Sequence, residues 1–257
     1  MKILVTGHKG FIGSNMYRRM AELGHEVTGF NWGEEFPGYN FDTVIHIGGI
    51  SSTTERDVDK IMRQNYDFSV WLLENCNRFG THFQYSSSAS VYGLNTEFKE
   101  DSPVDPRTPY AWSKYMFERY AQSKTWGIPV QGFRYFNVYG SGSAEDHKGG
   151  QASPYHKFSK QAQEKGIIDI FEGSDSFRRD FVPVESVVDT HQAFLNVKES
   201  GIWNVGTGKA KSFLEVAQEV AIKYDAKCQF IPMPKTLQDS YQAYTCADLT
   251  KIRKTLA

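Results

Sequence analysis

Three glycines spaced three apart, Gly7, Gly10 and Gly13, follow a short apolar run, Ile3-Leu4-Val5, and lead into apolar residues that recur at helical spacing from Phe11 onward. No other feature restricts the fold as tightly. Where a strand turns through glycine into a helix, the first glycine makes the turn and the second lets backbone approach a pyrophosphate. The third lets helix and strand pack closely, and the N–H groups of the helix start face the phosphates. Gly7, Lys9, Gly10, Phe11, Ile12 and Gly13 are therefore the candidate phosphate-side residues of a dinucleotide site.

The alternation continues. Strands are expected over 26–30, 43–47, 82–86 and 129–133, and helices over 11–23, 58–79 and 110–124. Strands alternating with helices predict a parallel sheet wrapped by helices, a Rossmann-type doubly wound α/β fold. Past Tyr139 the pattern loosens, with Ser141-Gly142-Ser143 and Gly149-Gly150 marking a long irregular connection. Further strands are expected over 168–171, 180–184, 202–205 and 229–231, and helices over 186–196, 213–224 and 248–256. The expected division is a dinucleotide-binding domain over 1–137 plus about 180–206, and a smaller α/β substrate domain over about 138–179 plus 207–257.

A chain of 257 residues can bury such a core without covalent staples. Lys and Arg number 29 against 30 Asp and Glu, so a basic grip on nucleic acid is not expected. No apolar run reaches the roughly 18 residues of a membrane span. Cys76, Cys228 and Cys246 show no metal-ligand spacing, so no zinc site or disulfide framework is expected and a reducing cytoplasm fits. Nor do carboxylates gather as a hard divalent cation would require, so no metal is expected.

Two segments carry acid/base chemistry. In Tyr110-Ala-Trp-Ser-Lys114, four helical steps turn about 400° and rise about 6 Å, which sets the phenol and the ammonium on one face. A positive charge beside a phenol lowers its pKa from about 10, so that Tyr110 could exchange a proton with a substrate alcohol. Tyr85-Ser-Ser-Ser-Ala-Ser-Val-Tyr-Gly93 runs a strand end into serines. Ser88 could bond the same oxygen, because ligands of open α/β sheets sit beyond the carboxyl ends of strands. At the adenosine end of the cofactor, Phe30-Asn31-Trp32 stands where a carboxylate is usual. Asn31, with Lys9 or His8 nearby, points to the 2′-phosphate of NADP, with NAD as the alternative.

A glycine-rich first turn, a serine at a later strand end and a Tyr-x-x-x-Lys helix, in this order, resemble the extended short-chain dehydrogenase/reductase superfamily in its nucleotide-sugar-modifying branch. The resemblance extends over nearly the whole chain. His46-Ile-Gly-Gly-Ile-Ser-Ser-Thr-Thr-Glu55, Gly132-Phe-Arg-Tyr-Phe-Asn-Val-Tyr-Gly140 and His147-Lys-Gly149 are similar to segments of the ADP-L-glycero-D-manno-heptose 6-epimerases. So are Phe171-Glu-Gly-Ser174, Arg179-Asp-Phe-Val182, Tyr241-Gln-Ala-Tyr-Thr245 and Ala247-Asp-Leu-Thr250.

The resemblance implies an epimerase that inverts carbon 6 of an ADP-heptose by transient oxidation and re-reduction on a bound NADP. It implies Tyr110 and Lys148 as the two acid/base groups, with Lys114 and Ser88 beside the first. Arg179 suits the diphosphate of the nucleotide sugar, since guanidinium presents a fork to phosphate oxygens. Asn137, Ser51, Ser52, Thr53 and Tyr241 are candidate sugar or nucleotide contacts, and a homo-oligomer is expected.

One departure is clear. Only eleven residues separate Asn31 from Thr43, where family members insert a further helix-strand unit, so the sheet is expected to lack one strand. Rival readings stay open. A UDP-hexose 4-epimerase shares Ser88, Tyr110 and Lys114 but does not explain Lys148. A nucleotide-sugar dehydratase or reductase is a further rival; the dehydratase would want carboxylates where Ala89 and Ser90 stand. A catalytically silent nucleotide-binding scaffold could use the same fold.

Overall fold

A computed structural model describes residues 1–140, 145–234 and 242–257. Its main sheet is built from β1 (Lys2–Thr6), β2 (Glu26–Phe30), β3 (Thr43–His46), β4 (His82–Ser88), β5 (Val130–Tyr135) and β9 (Gly201–Val205). The order across the sheet is β2-β1-β3-β4-β5-β9, with every neighbouring pair parallel. Ile3, Leu4 and Val5 are all fully buried because the sheet is covered on both faces. Strand alternation divides them. Ile3 and Val5 pack with Met16 and Met20 of α1 (Phe11–Glu22) and Val188 of α6 (Val184–Phe194). Leu4 faces Leu72 and Leu73 of α3 (Phe68–Phe79) and, in the same cluster, Phe117 of α4 (Pro109–Gln122).

The strand order bears out the missing unit. In a doubly wound sheet the third strand usually lies outside the second. Here β3 crosses to the other side of β1, and among the described residues no strand lies beyond β2. Aromatic side chains of the short connection pack on the α3 side of the sheet, opposite α1. Phe36 and Phe41 pack on the cluster of Leu4, Val44 and Leu72, and Tyr39 stacks on Phe79 with ring centroids 4.6 Å apart.

The helix expected over 58–79 is interrupted. It runs as α2 (Val58–Ile61), a π-helical turn (Met62–Asp67) and α3, with Asp57 capping the start and Gly80 closing the end in the left-handed region. A π turn of this kind re-aims side chains and is common beside functional sites.

In the second half, β6 (Asn137–Tyr139), β8 (Arg178–Pro183) and β10 (Ala210–Ser212) form a three-stranded sheet, and β7 (Ile167–Phe171) pairs with β11 (Lys227–Ile231). The strand expected over 180–184 therefore stands in the second sheet rather than with the dinucleotide half. Its backbone pairs with β6 and β10, and the buried Asp180 carboxylate, accepting from the Thr207, Gly208 and Ala247 N–H groups, ties it further to later chain. Part of the expected irregular connection is helix α5 (Pro154–Lys165). Its apolar seam of Tyr155, Phe158 and Ala162 is thin, although Ser153 caps its start and Gly166 its end. Helix α7 (Phe213–Tyr224) packs on it through the same cluster, and the chain ends in a helix over Thr250–Leu256. Among the described residues, no helix is long and apolar enough to cross a membrane.

Candidate active site

A cleft of about 560 Å³ opens at the carboxyl ends of the central strands, lined among others by Gly7, Gly10, Phe11, Ile12, Gly13, Tyr110, Lys114 and Lys148. Gly7 turns with φ of 72°, and a Cβ there would sit 2.7 Å from the Gly48 Cα. A Cβ on Gly13 would come within 2.0 Å of the Gly7 carbonyl oxygen. Gly10 begins α1 with no side-chain cap, which leaves the first-turn N–H groups open to an anion. A cradle that side chains would fill, at an uncapped helix start, fits the pyrophosphate of a dinucleotide.

At the other end of the cleft stand Phe30, Asn31 and Trp32. Lys9 and His8 do gather on Asn31: the Lys9 N–H donates to its side-chain oxygen, and His8 Nδ1 lies 3.0 Å from its amide nitrogen. Sequence reading missed Glu34, which pairs with the Lys9 ammonium and accepts from the Asn31 N–H. Those bonds, Lys9 first, hold the Glu34 carboxyl down at about 2. The Lys9 charge is therefore already matched.

Tyr110 sits in the first turn of α4, where Thr108 caps the Ala111 N–H and Pro109 takes the first helical position. Lys114 follows one turn later, buried, its ammonium donating to the Ser86 carbonyl at 3.0 Å and lying 3.3 Å from the Ser86 hydroxyl. Burial lowers the Lys114 pKa to about 8, against the pull of Glu118. The expected lowering of the Tyr110 pKa by Lys114 is not what this structure gives. Burial raises it, and only the Ser88 side chain, by a hydrogen bond, works the other way. The physical reason is distance and commitment: the Lys114 ammonium is 6.0 Å from the ring centroid and is held by Ser86. Ser88 ends β4, and its hydroxyl also accepts from the Ser90 N–H.

Lys148 reaches the same cleft from the turn Asp146–Gln151. Its ammonium lies 2.8 Å from Glu145 and 4.6 Å from the centre of the Phe11 ring. Ser51 lines the cleft, while Ser52 bonds Thr54, whose hydroxyl lies 3.5 Å from Gln151 beside the Lys148 turn. Thr53 and Asn137 are exposed and do not line this cavity. Arg179 is not brought to it either; it is buried in β8, bonding the Arg178 carbonyl with its guanidinium 5.6 Å from the Phe213 ring centre. Tyr241 lies outside the described residues.

Asn65, from the π turn, was missed as well. It is buried and bonds both the N–H and the carbonyl of Ile50 and the Ser113 hydroxyl, fastening a cleft loop to α4 between Tyr110 and Lys114. A lone polar residue in a helical stretch reads as surface, so no sequence signal marked it.

The comparisons with known proteins agree. The description "NAD dependent epimerase/dehydratase family" matches residues 3–206. An ADP-L-glycero-D-manno-heptose-6-epimerase of Alkalilimnicola ehrlichii is 37% identical over 290 aligned residues, covering 98% of this chain and 90% of that protein. The crystal structure of the Helicobacter pylori enzyme of the same name superposes with a TM-score of 0.89 at 25% identity, over 100% of this chain and 90% of the other. A Thermus thermophilus UDP-glucose 4-epimerase in complex with NAD gives 0.78 at 25% identity, over 99% and 92%.

Proposed function

The chain belongs to the NAD dependent epimerase/dehydratase family, and from that premise we propose that it inverts carbon 6 of an ADP-heptose by transient oxidation and re-reduction. The observation that carries the reading is a single cleft lined by Tyr110 of α4, Lys148 of the later turn and the glycine cradle. A UDP-hexose 4-epimerase would leave Lys148 without a part.

Bound in the cleft, the dinucleotide would supply a reversible hydride acceptor. The substrate carbon passes through a ketone, and the sugar presents opposite faces before and after inversion. Tyr110 therefore manages the alcohol proton in one orientation and Lys148 in the other. Ser88 steadies the Tyr110 phenol, and Lys114, held by Ser86, would contact the dinucleotide. Ser51 on the cleft wall, with Ser52 beside it, contacts the sugar or nucleotide, as would Tyr241, whereas Thr53, Asn137 and Arg179 stand away from the cleft and are given no part in it. Residues 1–137 with 184–206 make the dinucleotide half and the remainder the substrate half, an inner boundary set by β8.

NADP is the proposed dinucleotide. Its 2′-phosphate would draw Lys9 from Glu34, an exposed pair of little worth, and accept from Asn31. NAD is the alternative, with Glu34 receiving the ribose hydroxyls. To test both, purified protein is incubated with ADP-D-glycero-β-D-manno-heptose without added cofactor, the carbon 6 proton is followed by NMR, and the nucleotide released on denaturation is identified. The L-glycero epimer together with NADP is expected. No epimer, even with NADP and NAD supplied, overturns the reading, whereas released NAD overturns the cofactor choice alone.

A further inference from the structure

Glu145 is fully buried, and the acid/base scheme gives it no part. Its carboxylate accepts four hydrogen bonds. They come from the Gly140 N–H at 3.0 Å, the Ser153 N–H at 2.8 Å, the Ser153 hydroxyl at 2.7 Å and the Lys148 ammonium at 2.8 Å. Burial acts to raise the Glu145 pKa, but the bonds from Lys148, Ser153 and Gly140 bring it below the ordinary carboxylate value. The charge is therefore kept inside the protein rather than quenched by a proton.

The donors come from three pieces of chain: the end of β6, the turn that carries Lys148, and the cap of α5. One carboxylate ties all three together. Lys157 of α5 adds a second cation whose charge interacts with both Glu145 and Lys148. Without the Glu145 charge, two cations would remain in mutual repulsion. The Lys148 side chain is 20% exposed, its ammonium 2.8 Å from Glu145 and 4.6 Å from the centre of the Phe11 ring.

Resting on the reading of Lys148 as an acid/base group, we propose that Glu145 is its positioning residue. It fixes where the Lys148 ammonium stands over the dinucleotide cleft, and the second proton transfer depends on Glu145 only through that lysine. A long amine on a glycine-flanked turn has many rotamers, and proton transfer requires hydrogen-bond reach. A displacement of about 1 Å can cost roughly a hundredfold in rate.

Glu145→Gln preserves volume and an acceptor oxygen but turns an amide donor toward Lys148, which releases it. The expected result is a kcat lower by roughly ten- to a hundredfold with KM nearly unchanged, as for a misplaced catalytic group. Glu145→Asp, which keeps the charge, should recover part of that loss. In a Lys148→Met background, Glu145→Gln should cost nothing further, because the group it positions is gone. A reading free of any substrate comes from acylating the folded protein with acetic anhydride and following Lys148 by peptide mass spectrometry. Lys148 should react several-fold faster in Glu145→Gln than in the wild type. Equal labelling, or the same loss of kcat in both Lys148 backgrounds, overturns the proposal. If Glu145→Gln fails to fold, Glu145→Asp supports the proposal by labelling faster than the wild type and overturns it by wild-type labelling. A wild type that labels as expected but does not epimerise sinks the acid/base reading and leaves the hold of Glu145 on Lys148 standing.

Discussion

Lys114 carries its ammonium where water is excluded. Burial brings its pKa from 10.5 to about 8. Between those values the unfolded chain holds the proton more tightly than the folded protein does. The contribution of this group to stability therefore rises as pH rises through that window, by at most about 1.4 kcal/mol per pH unit. Denaturant titrations of the apoprotein across the window should give a steeper rise for the wild type than for Lys114→Met; equal slopes would contradict the assignment. Spacing alone made the one-turn separation of Tyr110 and Lys114 on α4 legible, because four helical steps set it. The pKa directions were not legible, since they follow from burial and from Ser86, which arrives from another strand. Glu145 escaped notice for a related reason. An acid in a glycine-rich connection reads as solvated until Gly140 and Ser153 are seen to converge on it.

At the scale of elements, two histidines fasten the sheet to its helices while remaining neutral. His46 of β3 bridges the Thr6 and Ser69 hydroxyls, and His191 of α6 bridges the Tyr135 hydroxyl and the Gln84 side chain. Burial pushes both from 6.5 down to about 3. Below 6.5 the unfolded chain takes up protons that the folded protein refuses, so stability falls as pH falls. The loss approaches about 1.4 kcal/mol per pH unit for each group and ends near the folded pKa. His191→Gln should flatten the acid side of a urea-midpoint profile by the share of one histidine. An unchanged profile would show that His191 does not govern it. The elements themselves were largely legible, because apolar periodicity marks every strand and helix that buries a continuous face. Helix α5 was not, as its seam is three residues wide among polar neighbours, and β6 and β10 are only three residues each. The π turn has no periodic signature of its own, so Asn65 could be found only in the fold.

For the whole molecule, the trimmed sheet was legible from eleven residues between Asn31 and Thr43, but the packing of Phe36 and Phe41 from that short connection on the α3 side of the sheet was not. Trp71 and Phe79 of α3 and Trp112 and Met116 of α4 remain exposed, large apolar side chains that a homo-oligomer would cover. Light scattering should therefore report a dimer or larger species, and replacing Trp71 and Trp112 with Glu should shift it toward monomer. A monomeric wild type would set the assembly aside without touching the site. The central claim is that two proton-transfer groups from different parts of the chain share one cleft, and kinetics of single and double variants test it most directly. Epimerisation rates of the wild type, Tyr110→Phe, Lys148→Met and the double variant should show each single change slowing turnover by about a hundredfold or more, with the double variant inactive. A double variant that epimerises at the wild-type rate would contradict the account.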